Sequence, residues 1–136
     1  MDDIIRTMRI SGSGMRAQGQ RLRVIAQNIA NANSLPQEPN ENPYRRKILT
    51  FRNEFDRAVG LEMVKVNRVR ADMSEFNRRY EPSHPAADAD GYVLTPNVNT
   101  IIEMTDMREA QRSYEANMNV IKTSKSMLNS ALELLR

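Results

Sequence analysis

The sequence predicts a mainly helical α+β fold, with long N- and C-terminal helices pairing as an antiparallel coiled coil around a small β-rich insertion. Three observations carry this reading. Apolar residues recur every three to four positions at both ends, turn-forming residues interrupt the middle, and short branched or aromatic runs lie between those interruptions. The divisions fall at residues 1–34, 35–96 and 97–136. A chain of 136 residues is one domain, or a small domain with extended elements. With 40% apolar residues, 5% aromatics and no Trp, a large compact core is not expected to account for all of it.

The first helix follows from Ile4, Met8, Ser11, Met15, Gln18, Leu22, Ile25, Ile29 and Ala32, a 3–4 spaced seam broken only by Ser11 and Gln18. It runs into the stretch IAQNIANANSLP, where Asn31 and Asn33 are expected to end it by adopting the left-handed conformation that asparagine tolerates. Leu35 before Pro36 discourages continuation. Asn28 and Asn31 share a face beside the seam, and their amides are expected to bond neighbouring chains. Gly12, Gly14 and Gly19 form no phosphate loop, since no strand precedes them and no Lys-Ser or Lys-Thr follows. They loosen the helix or admit another backbone.

The proline-rich SLPQEPNENP reads as a loop. YRRKILTFRNEF and EMVKVNRVRADM alternate in part and read as short strands. EPSHPAADADGYVLTPNVN is a turn-rich link in which Asp90-Gly91 makes a tight turn before a short strand at Tyr92-Val93-Leu94. Asn97 or Asn99 then caps the last helix. That helix carries the second seam, through Met104, Met107, Gln111, Tyr114, Met118, Ile121, Lys125, Leu128, Leu132 and Leu135. Its remaining surface, from Ser113 to Leu132, is rich in Asn, Ser and Thr rather than in charge, which suits a helix surrounded by other helices.

Composition narrows the chemistry. No run of apolar residues approaches the roughly 18 needed to span a bilayer. The N-terminus has acids where a secretory signal needs base, so a cytosolic chain or export without a cleaved signal is expected. Cysteine is absent, which removes disulfides and thiolate ligands. His84 is the lone histidine and sits between prolines, so a structural or solvent-facing role is expected. Aligning Gly91 with the glycine of a calcium loop puts Ala86 and Asn97 at the end positions where acidic ligands belong, which leaves a plain Asp-Gly turn. The nine methionines mostly lie on the seams as adaptable packing. Catalytic, metal and cofactor residues are therefore all expected to be none.

The net charge of +3 comes from the first helix, where Arg6, Arg9, Arg16, Arg21 and Arg23 face Asp2 and Asp3. Residues 35–96 balance ten bases against ten acids, and residues 97–136 five against five, so there is no basic stripe of the kind nucleic acid requires. The alternative reading, a basic helical nucleic-acid-binding or regulatory protein, rests on those arginines alone.

MRAQGQRLRVIAQNIANANS resembles the N-terminal motif of the flagellar axial proteins of rod, hook and hook-filament junction. Leu22, Ala26, Asn28, Ile29, Ala30 and Asn31 stand at its pattern positions. The C-terminal run ending SYEANMNVIKTSKSMLNSALELL is similar to the family's partner motif through Tyr114, Ala116 and Asn117. Within that family, YEPSHPAADADGYVLTPNVNTIIEMTDMREAQRSYEAN is most similar to the proximal rod branch. The resemblance implies a non-enzymatic polymer subunit of the basal body, exported through the flagellar type III apparatus and built into the periplasmic rod, a torque-transmitting drive shaft around the export channel. Implied partners are the chain itself, other rod proteins, the export apparatus and the surrounding rings, with no nucleic acid and no direct membrane span. Motifs and seams together nominate the assembly residues: Leu22, Ile25, Asn28, Ile29, Ala30, Asn31, Asn33, Pro96, Asn97, Met107, Tyr114, Ala116, Asn117, Ile121, Leu128 and Leu132.

Overall fold

The computed structural model describes residues 2–134. Helix α1 (Asp2–Ala30) is followed by strands β1 (Lys47–Asp56), β2 (Leu61–Ala71), β3 (Asn77–Tyr80) and β4 (Tyr92–Thr95), then by helix α2 (Thr100–Leu134). The expected order of helix, small β-rich insertion and helix is observed. β1 and β2 form one two-stranded sheet, β3 and β4 another. The chain divides into two compact units. One comprises the residues up to Leu22, Leu49–Arg68 and those from Arg108; the other comprises Arg23–Ile48 and Val69–Met107.

In the first unit the helices run antiparallel. Arg21 pairs with Glu109 at 3.7 Å, and Ile4 and Thr7 line one groove with Val120, Thr123 and Met127. The helices come close at Gly14, where an added Cβ would lie 2.9 Å from the Asn117 side-chain nitrogen. Glycine there lets the two axes approach. The β1–β2 turn spans residues 57–60 and ends on Gly60 at φ +69°, whose amide donates to the Asp56 carbonyl at 2.7 Å. Strand β2 meets α1 where the Val64 amide donates to Ser13 Oγ at 3.3 Å, next to buried Met63 and Ala17.

Along α1 the expected seam is turned inward throughout, and Ser11, read as a break, is itself buried. Along α2 the seam needs correction. Met107, Tyr114, Met118, Ile121 and Leu128 are withdrawn from solvent, but Met104, Gln111, Lys125 and Leu132 are exposed. At those four exposed layers the inward position is one residue earlier, at Glu103, Ala110, Ser124 and Ala131, and Asn117 is withdrawn beside Met118. From Ala110 to Ala131 large and smaller side chains alternate on the stripe, because a close antiparallel pair has no room for a large residue at every layer. Leu135 lies outside the described residues.

The end of α1 is also corrected. Neither Asn31 nor Asn33 is left-handed; among the described residues the one non-glycine residue with positive φ is Asn40 at 67°. The helix tightens instead, with the Ala32 amide on the Ile29 carbonyl and the Ser34 amide on the Asn31 carbonyl. The Gln27 carbonyl accepts twice from Asn31, from its backbone amide at 3.1 Å and from its Nδ2 at 2.8 Å.

In the second unit β3 and β4 pair antiparallel from Asn77↔Thr95 to Tyr80↔Tyr92, with the two tyrosine rings edge to face at 5.3 Å. Strand β3 carries the sequence NRRY and is exposed throughout, so it has no apolar alternation by which to be read; its partner strand, through fully buried Val93, creates it. Gly91 sits at φ +84° in the expected turn, and a Cβ there would come within 2.9 Å of the Tyr80 ring. Of the two cap candidates, Asn99 holds the start of α2: its Oδ1 accepts from the Ile101 amide at 3.1 Å and the Ile102 amide at 3.3 Å.

Candidate functional site

Beside its buried apolar residues Ile25, Ala32, Ala86, Val93 and Val98, the second unit is fastened by a cluster of polar side chains. Asn28 is 1% exposed. Its Nδ2 donates to the Lys47 carbonyl at 2.8 Å and to Glu103 Oε2 at 3.1 Å. Its Oδ1 accepts from the Tyr44 hydroxyl and the Lys47 amide, each at 2.9 Å. Glu103, also 1% exposed, receives Arg46 Nε on its other oxygen at 2.5 Å. Arg46 reaches on to Asp72 and Asp106, while its backbone amide donates to Asn97 Oδ1 at 2.8 Å. Asn97 Nδ2 in turn donates to the Asp72 carbonyl and to Ser74 Oγ. Five short segments of chain thus meet at one hydrogen-bonded junction: the last turn of α1, the start of β1, the residues after β2, the link before α2 and the first turns of α2.

Electrostatics follow the same geometry. The Ser74 backbone amide, helped by the Ser74 hydroxyl and by Arg46, holds the Asp72 carboxyl below its ordinary value. Burial, with the charge of Glu103 added, pushes the Tyr44 phenol up, so it stays a neutral donor to Asn28. In the link between β3 and β4 the Tyr92 amide lowers Asp88, and Arg78 and the Asp90 amide act in the same direction. That carboxylate is therefore occupied by its own turn. His84 Nδ1 accepts from the Ala86 amide at 3.1 Å, a turn-shaping contact. Among the described residues no group of three or more His, Cys, Asp or Glu could hold a metal, and no helix is long and apolar enough to cross a membrane.

The nominated assembly residues separate by exposure. Ile25, Asn28 and Pro96 are buried; Leu22, Ile29, Asn31, Asn97, Met107, Tyr114, Asn117, Ile121 and Leu128 are half-buried; Ala30, Asn33, Ala116 and Leu132 are exposed. Asn28 and Asn97 meet in the polar junction, and Asn117 lies against Gly14. The expectation that Asn28 bonds a neighbouring chain gives way, because its whole amide is engaged within this one. Sequence reasoning missed Tyr44, Arg46, Asp72 and Glu103. The available signal was Glu103, the lone acid in the first turn of α2, at a spacing that continues the inward stripe.

Residues 8–34 match the family described as flagella basal body rod protein, and residues 89–134 match the C-terminal family of the flagellar basal body rod FlgEFG proteins. Over its whole length the chain is 46% identical to the flagellar basal-body rod protein FlgC of Agrobacterium fabrum, covering 98% of that protein. It belongs to the FlgC family of flagellar basal-body rod proteins. The FlgC protein of Escherichia coli O6:H1 is 42% identical over 92% of both chains. That of Bacillus subtilis is 34% identical over 94% of this chain and 95% of its own. The two matched family regions contain the α1 and α2 ends of the polar junction, Asn28 and Glu103.

Proposed function

We propose that this FlgC-family chain is a structural subunit of the bacterial flagellar basal-body rod, polymerising through its terminal helices into the torque-transmitting drive shaft around the export channel. The observation that carries the reading is the apolar surface α2 leaves uncovered: Ile101 is 77% exposed, Met104 52% and Leu132 50%. Large apolar side chains left exposed on a helix are covered by neighbours in an assembly. The cores of the assembling segments are residues 1–34 and 97–136, with residues 35–96 carried further from the axis. Copies of the chain and other rod proteins are its neighbours, in the periplasm, with the export apparatus at the rod's base and the basal-body rings around it. The exposed members of the nominated set, Ala30, Asn33, Ala116 and Leu132, are the first candidates for contacts between subunits.

Electron microscopy of basal bodies from a strain lacking the chain tests this. Basal bodies without a completed rod, restored by the intact gene, are expected. Complete rods in the deletion strain would overturn the reading.

A further inference from the structure

On a side of α1 distinct from its buried seam, Arg9, Gly12, Arg16 and Gly19 follow at alternating spacings of three and four, so they form one stripe along the helix. Arg9 and Arg16 are exposed, and among the described residues neither pairs with a carboxylate. Asp56 shares one depression with Arg16 and Asp2 shares another with Arg9, in neither case as an ion pair. Both arginines line a half-open groove of about 560 Å³ whose apolar surface comes from Ile5, Met8, Met63 and Leu128. Glycine is a poorer helix former than alanine, yet a Cβ at Gly12 or Gly19 would meet nothing within 4 Å. Packing inside the chain therefore gives no reason for either glycine, whereas a second helix laid along the stripe would.

We propose that this groove seats an amphipathic helix from a different protein, with an apolar stripe on Ile5, Met8 and Leu128 and two carboxylates, seven residues apart, on Arg9 and Arg16. Charge complementarity selects that occupant. A helix bringing apolar side chains without carboxylates would leave two guanidiniums beside it, half-desolvated and unpaired. A second copy of this chain is unsuited. Its α1 has acids only at Asp2 and Asp3. On its α2, Glu103 is buried, and Asp106 and Glu109 face Arg46 and Arg21. That leaves Glu115 and Glu133, about 27 Å apart along the axis against about 10 Å between Arg9 and Arg16. A phosphate backbone would satisfy the arginines but not the apolar lining between them.

The inference rests on the reading of the chain as an assembly subunit, and its test separates the two. A photo-crosslinking amino acid is placed at Gly12 of the full chain in flagellated cells, and the adducts are mapped by mass spectrometry. An adduct on another protein, within a helix bearing two acids seven residues apart, is expected. Arg9→Glu with Arg16→Glu should reduce its yield at least tenfold, Arg112→Glu should leave it unchanged, and changing the two mapped acids to Lys should restore the yield to the double variant. An adduct on a second copy or on nucleic acid would overturn the proposal, as would an undiminished yield from the charge-reversed double variant. Circular dichroism of the purified variants shows whether a lost adduct reflects a lost fold; the Lys-swap rescue decides the case if it does. A mapped acidic helix in a protein outside the flagellum would keep the groove and remove the rod-subunit reading.

Discussion

Asn28 shows how much a single side chain can settle. Its four hydrogen bonds join α1 to Tyr44, to the start of β1 and to Glu103 of α2. Asn28→Ala would leave the buried Glu103 one donor short and strand the Lys47 amide, so it should cost about 2–4 kcal/mol. Glu103→Ala should cost about 3–5 kcal/mol by leaving Arg46 partly unpaired in a desolvated place. Chemical denaturation of both single variants and of the double checks this. Because the two residues touch, the double should cost less than the sum. The acid dependence has a definite sign. Asp72 and Asp88 are lowered from 3.8 in the folded chain. The stability they contribute is therefore fully present above that value and is lost as pH falls through the lower folded values. The denaturation midpoint should be flat from about pH 7 to 5 and decline below about pH 4, and Asp72→Asn should flatten part of the decline. The asparagine cluster was legible as a helix end, but the role of Asn28 was not. Its partners lie 16, 19 and 75 residues away, and no local pattern links them.

For each element, legibility followed periodicity. The seam of α1 was read correctly because large apolar residues mark most of it. That of α2 was read one residue late at four layers, because Met104 and Leu132 look like core whereas Ala110 and Ser124 do not. The choice turned on size, which a hydrophobic count ignores. β1, β2 and β4 announced themselves by branched and aromatic residues, while β3 had only its pairing partner to define it. The glycines of α1 give a prediction at this scale. Gly19→Ala should raise the melting temperature of the isolated chain, since alanine favours the helix by about 1 kcal/mol and its methyl meets open space. Gly14→Ala should gain less or lose, because the Asn117 side chain must move. Thermal unfolding followed by circular dichroism distinguishes them; equal shifts would mean that the helices do not approach at Gly14 in solution.

At the scale of the whole molecule, buried hydrogen bonding is spread unevenly along α2. The junction around Glu103 is saturated with hydrogen bonds, whereas the far part of α2 leaves Met127 57% and Leu134 88% exposed. Amide exchange of the purified chain should therefore be slow at residues 103–110 and fast beyond about residue 120, because opening the distal turns breaks few buried contacts. Uniform protection along α2 would show that the pair is already complete without neighbours. Leu128→Asp probes the same division in the cell. Leu128 lies on the inward stripe and lines the groove with Ile5, Met8 and Met63. A carboxylate there costs several kcal/mol if it stays against those side chains. The free chain can avoid that cost by opening the last turns of α2 into water, so the variant should accumulate as soluble, full-length protein and still be exported. In the proposed rod, neighbours would hold the helix in place and remove that escape. The variant should therefore leave basal bodies without completed rods and cells that do not swim, while Leu128→Met, which conserves volume, should swim normally. Motile Leu128→Asp cells with intact rods would rule out a helix pair closed during assembly. An insoluble variant would instead show that the distal turns of α2 are packed before any neighbour arrives.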